Sequence, residues 1–150
     1  MSLKAQIDSD LKTALMADNK IASTTLRGLK AAILDVEVAT NTRDTGLADE
    51  EVEKVVQKEI KKRQESLELY KNNDRPELAS AEQSEIDVLQ SYAPKQLSEK
   101  ELSIIADTVF GSFPDATMQD MGKIIGQVKA KAGNGADGGM IAKLVKERLK

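Results

Sequence analysis

Apolar residues recur at three- and four-residue spacing along nearly the whole chain, the period of amphipathic helices. Leu3, Ile7, Leu11, Ala14 and Leu15 mark a first helix over about 3–17. After Asp18-Asn19, the residues Ile21, Thr25, Leu29, Ala32, Ile33 and Val36 share one side of a second. Asn41 through Gly46 is polar and reads as a loop. A third helix starts near Asp49, where Glu50 and Glu51 suit the positive end of the helix dipole, and carries Val52, Val55, Val56, Ile60 and Leu67. Lys71 to Asp74 is a turn, and Asp74 with Glu77 predicts a capping box around Pro76, which a first turn tolerates. Leu78, Ile86, Leu89 and Tyr92 belong to the fourth helix.

Tyr92-Ala93-Pro94-Lys95-Gln96 is the clearest boundary, because Pro94 pushes Ala93 out of helical geometry. Ser98 and Glu101 then predict a capping box, with Leu97 and Leu102 placed for a hydrophobic staple. Leu102, Ile105, Ala106, Val109 and Phe110 form the fifth stripe, broken by Gly111 through Asp115. Thr117 caps a sixth helix bearing Met118, Met121, Ile124, Ile125 and Val128, which Gly133-Asn134-Gly135 ends. Asp137 caps a seventh with Met140, Ile141, Leu144, Val145 and Leu149. No strand pattern competes. The expected fold is all-α: an N-terminal four-helix domain over 1–93, then a small C-terminal three-helix domain over 97–150. So short a second domain has a marginal core and leans on its neighbour or a partner.

Composition narrows the chemistry. The chain has no cysteine and no histidine. Disulfides, thiolate catalysis, the usual general base and most zinc sites are thereby excluded. No catalytic, cofactor-binding or metal-binding residues are expected. No apolar run is long enough to span a membrane. The opening residues Met1-Ser2-Leu3-Lys4-Ala5-Gln6-Ile7-Asp8 lack a signal-peptide stretch and carry an early acid, so a cytoplasmic location is expected.

Charge is unevenly spread. Residues 121–150 hold seven basic side chains against two acidic ones, or +5, whereas the first 120 residues hold 15 against 23, or −8. An acidic body with a compact basic end suggests a polyanion partner for that end. Its basic residues are Lys123, Lys129, Lys131, Lys143, Lys146, Arg148 and Lys150.

Each motif has a plainer reading beside the functional one. Gly122 and Gly126, four apart, serve either close helix packing or the approach of an RNA backbone to Lys123. The helix start at Gly135-Ala136-Asp137-Gly138-Gly139 is a turn with its cap, or a place that also meets phosphate. Lys58, Lys61, Lys62 and Arg63 interleave with Glu59 and Glu65, which reads as a solvated face of alternating sign; alternatively Arg63, Ser66 and Tyr70 line a groove. Arg27, Lys30 and Glu37 read as interhelix salt bridges. Asp8 with Asp10, and Glu50 with Glu51, read as helix-start electrostatics rather than acid-base pairs.

The runs Lys58-Glu59-Ile60-Lys61-Lys62-Arg63-Gln64-Glu65-Ser66, Glu85-Ile86, Tyr92-Ala93-Pro94-Lys95-Gln96-Leu97-Ser98 and Met121-Gly122-Lys123-Ile124-Ile125-Gly126 resemble the YqeY branch of the GatB/YqeY proteins. The resemblance covers essentially the whole chain. It implies a C-terminal part like the tail domain of the B subunit of the glutamine-dependent tRNA amidotransferase, which helps recognise the tRNA body. The chemistry of that complex sits in parts that nothing here resembles. The family often reads Lys-Gly-Arg-Ala-Asp-Gly-Lys at the last turn; here Gly135 stands where Arg is usual and Gly139 where Lys is usual.

The expected function is a non-catalytic accessory module, without membrane contact, that binds tRNA or a tRNA-processing enzyme. Gly122 and Gly126 would allow close approach, and Lys123, Lys129, Lys131, Lys143, Lys146 and Arg148 would contact phosphates. The alternatives are a protein-interaction adaptor, and a component of a carbon-nitrogen ligase with glutamine as amido-N-donor. Oligomeric state is not read from the sequence.

Overall fold

The computed structural model describes residues 1–149, so Lys150 of the basic tail lies outside it. Every regular element among the described residues is helical. In order these are α1 (Leu3–Met16), α2 (Lys20–Ala39), α3 (Asp49–Asn72), α4 (Pro76–Gln90), α5 (Glu99–Phe110), α6 (Met121–Ala132) and α7 (Gly138–Arg148), with short 3-10 turns at Met118–Asp120 and Gly133–Gly135. The chain divides into two compact units, Met1–Ala93 and Pro94 onward.

In the first unit, Ile7, Leu26, Leu29, Ile33, Val52, Val56 and Leu89 form the dry centre. α1, α2 and α3 all stop with one device. Asp18, Asn41 and Asp74 take left-handed φ of 53°, 56° and 56°. Asn19, Thr42 and Arg75 then donate their N–H back to Ala14, Glu37 and Tyr70, closing each last turn. This overturns the capping box expected at Asp74 and Glu77. Asp74 is spent on ending α3, and α4 starts at Arg75 without a side-chain cap but with Pro76 in its first turn.

Two ion pairs tie α1 antiparallel to α2. Lys30 lies 2.7 Å from Asp8, and Lys4 lies 2.7 Å from Glu37, whose side chain is only 2% exposed. The second Glu37 role is new: its Oε2 accepts the Leu47 N–H at 2.8 Å, fastening the loop before α3. Arg27 is exposed and takes no part in these pairs. Asp8 and Asp10 are packing partners rather than helix-start charges, Asp10 accepting from the Tyr92 hydroxyl at 2.6 Å.

The second unit packs Leu102, Val109, Ile124, Val128, Ile141, Val145 and Leu149 together. Ser98 caps α5 by accepting the Glu101 N–H, and Asp137 caps α7 by accepting the Met140 N–H at 2.8 Å. Thr117 caps the 3-10 turn that leads into α6, with Asp120 completing its capping box. Leu15, Ile21, Leu78, Met118 and Met140, placed on apolar stripes by spacing, are exposed. Each sits at the edge of its stripe or in an end turn, where the neighbouring helix no longer covers it.

Candidate nucleic-acid interface

α6 carries five of the expected contact residues. Ile124 and Val128 fix its inward side, so Gly122, Gly126 and Ala130, at four-residue intervals, run along the outward one, and all three are exposed. A Cβ placed on Gly122 or Gly126 would have nothing within 4 Å. Neither glycine therefore serves helix packing within the unit. Gly126, in the helix interior, costs about 0.5–1 kcal/mol relative to alanine, and no internal contact recovers it. Lys123 stands beside this strip, its ammonium 5.6 Å from the centre of the Phe113 ring. That cation–π contact steadies the side chain and leaves its charge exposed.

The other α6 lysines separate. Lys129 and Lys131 are two residues apart and leave the helix on different flanks. Lys131 is exposed. Lys129 is half-buried and donates to the Ala136 carbonyl oxygen at 3.0 Å, closing the turn between α6 and α7.

α7 divides its three basic residues in the same way. Lys143 and Lys146 share the outward face at i, i+3 spacing and are exposed. Lys143 also lines a groove of about 320 Å³ between α5 and α7, with Glu99, Leu102, Ser103, Met140, Leu144 and Glu147. The two carboxylates there offset its charge. Arg148 is engaged internally. Its guanidinium is ion-paired with Asp107, donates to Ser103 Oγ at 2.5 Å and lies 5.9 Å from the Phe110 ring centre. It clamps α7 to α5 and is not a free phosphate contact.

The last turn is closely packed at both family departures. Leu97 donates its N–H to the Gly135 carbonyl at 2.8 Å. A Cβ on Gly135 would lie 2.8 Å from Leu97 Cγ and 3.1 Å from the Lys95 carbonyl oxygen. One on Gly139 would lie 3.2 Å from the capping oxygen of Asp137. The turn is packed for small residues at both places.

The second basic cluster differs from its sequence reading. Glu59 does not interleave with the surface lysines of α3: it is buried, 3.1 Å from Lys62 and 3.6 Å from Arg63. Its spacing from Val52, Val55 and Val56 (seven, four and three residues) is the signal that puts it on the inward side. Arg63 also faces Glu85, at 3.9 Å. No group of His, Cys, Asp or Glu among the described residues could hold a metal ion. No described helix is long and apolar enough to cross a membrane.

Relatives named "Altered inheritance of mitochondria protein 41, mitochondrial" match the chain in several fungi. The protein of Pyrenophora tritici-repentis is 27% identical over 95% of this chain and 78% of its own length. That of Lachancea thermotolerans is 32% identical over 59% of this chain and 46% of its own, and that of Eremothecium gossypii 32% over 69% and 56%. The chain thus spans about half the length of the latter two. Their mitochondrial names overturn the cytoplasmic expectation: an early acid and a missing apolar stretch do not fix a compartment. The sequence model of the Yqey-like proteins matches residues 4–149, and the chain belongs to that family.

Proposed function

We propose that this chain is a non-catalytic accessory module that binds tRNA through its second unit. In this reading Met1–Ala93 is a four-helix domain, and the remainder is a three-helix domain resembling the amidotransferase tail. The observation that carries the reading is the open glycine strip of α6. Gly122 in the first turn and Gly126 in the interior of α6 have nothing near their Cβ positions and offer backbone to a partner, Gly126 at a cost in helix stability. Lys123 stands at that strip, and Lys131, Lys143 and Lys146 are exposed cations of α6 and α7. Lys129 and Arg148 support the unit from within. Lysines meeting phosphates release counterions, so binding is electrostatic and steeply salt-dependent.

The test is a titration of the whole chain with bulk tRNA at about 50 and 200 mM salt. Salt-sensitive binding that weakens in Lys123→Gln and in Gly126→Leu supports the assignment. No binding by the parent at either salt, or unchanged binding by both variants, overturns it.

One observation favours a second reading, a protein-interaction adaptor. The α5–α7 groove exposes Met140 beside the half-buried Leu144, between Glu99 and Glu147, a surface suited to a peptide rather than to phosphate. A role in a carbon-nitrogen ligase using glutamine would be one of positioning, since the chain carries neither histidine nor cysteine.

A further inference from the structure

Turning Glu59 inward leaves the middle of α3 with a run of exposed lysines. Between Val52 and Arg63 the exposed residues are Lys54, Lys58, Lys61 and Lys62, and the rest, Glu53 among them, are buried or half-buried. Lys62 is tethered to Glu59, and Lys54 to Glu51 at 3.0 Å. Lys58 and Lys61 make no ion pair among the described residues. From Lys54 to Lys61 the row rises about 10 Å along the helix axis, at 1.5 Å per residue. Asp49, Glu50 and Glu51 bound the row at one end, and Glu65 and Glu68 at the other.

We propose that this lysine face of α3 binds the phosphodiester backbone of a nucleic acid. Three features favour that partner. The cations form a line rather than a cup, and a line suits a regularly charged strand. No apolar side chain is exposed among them, whereas a membrane-surface helix inserts one. The face also lacks the aromatic or apolar anchor on which protein interfaces depend. Lysines without base-reading partners give contacts that position a duplex and carry no sequence preference. The proposal goes beyond the tRNA reading: it lies wholly in the first unit and uses none of the α6 or α7 residues.

The experiment follows fluorescence anisotropy of a labelled short RNA duplex and its DNA counterpart with the whole chain. The proteins are the parent, a Lys58→Gln, Lys61→Gln variant, a Lys58→Arg, Lys61→Arg variant and a Lys123→Gln, Lys146→Gln variant. Removing two phosphate contacts should weaken binding at least about tenfold at 50 mM salt and make the log–log salt slope shallower by about 1.8. The arginine variant should retain binding, and melting temperatures should match the parent. Loss on both duplexes supports a generic backbone contact; loss on RNA alone supports the same contact with RNA as its source. A glutamine variant on α3 that matches the parent in affinity and slope overturns the proposal, even where the α6–α7 variant is impaired. Impairment of the α3 variant alone keeps the proposal and removes the tRNA reading of the second unit. Two further results would sink it: no duplex binding by the parent, or an α3 variant whose only defect is lost binding to phosphatidylserine vesicles.

Discussion

The Leu97 side chain occupies the space that a Cβ on Gly135 would need, while the Leu97 N–H donates to the Gly135 carbonyl at 2.8 Å. The segment entering the second unit is thereby stitched onto the turn before α7. Restoring the family's usual residue with Gly135→Arg should therefore overpack the turn. The expected cost is about 1–3 kcal/mol of stability, read by urea unfolding, with no gain in tRNA affinity. A variant as stable as the parent would show that Leu97 yields freely.

Gly126→Ala should raise stability, because nothing opposes the added methyl. The gain is roughly 0.5–1 kcal/mol. The same change should weaken tRNA binding, since the backbone is no longer bare. A fall in stability would mean that the glycine strip is needed inside the fold after all.

Arg148→Ala separates clamp from contact. Loss of the Asp107, Ser103 and Phe110 interactions should cost about 1–2 kcal/mol, since the Asp107 side chain is 67% exposed and that ion pair is screened. The salt slope of tRNA binding should stay as in the parent. A slope that drops by nearly one would return Arg148 to the phosphate contacts.

Glu37 gives the first unit an acid-sensitive contact. Its hydrogen bonds from Lys4, reinforced by the Leu47 N–H, outweigh burial and hold its carboxyl below the ordinary value of 4.5. The folded state thus favours the charged form. Its contribution is complete above the unfolded value and drains away as pH falls toward the lower folded one. Glu37→Gln should be less stable than the parent near neutrality, and the two should converge as pH falls through the lowered folded-state value. Parallel stability curves down to that pH would show that the carboxylate charge is idle.

Tyr92 behaves in the opposite sense at the alkaline end. Burial first, then the bond to Asp10, push its phenol well above the ordinary value of 10.0. The fold favours the neutral phenol, so its contribution is whole below that value and is lost as pH rises through the folded one. Tyr92→Phe should cost about 1 kcal/mol at neutral pH and flatten the alkaline limb of the stability curve. An unchanged limb would exclude Tyr92 as its source.

Periodicity made the helices and most of their caps legible, because Ser98, Thr117 and Asp137 act within a few residues of where they stand. Asp74 misled because two local devices compete for it: the left-handed stop of α3 won over the cap of α4, with the Arg75 N–H already given to Tyr70. Glu59 misled because charge order along the chain says nothing of direction. The three valines before it do, and they turn it inward. Gly122 and Gly126 were legible as a pair but not as a purpose, since spacing cannot show whether another helix lies opposite. Arg148 and Lys129 looked like their neighbours in sequence and are distinguished only by the Asp107, Ser103 and Ala136 atoms that the fold brings to them.

The Glu37 carboxylate gathers residues 4, 37 and 47, and it has a kinetic consequence. It can hold Leu47 and Lys4 together only after α1 has docked antiparallel on α2 and the loop between α2 and α3 has closed. The latch is therefore a late event on the way to the native state. Its loss should quicken unfolding while leaving the folding arm of the chevron nearly unmoved. In practical terms, a Glu37→Gln variant is expected to shorten the time the first unit stays shut more than it slows assembly.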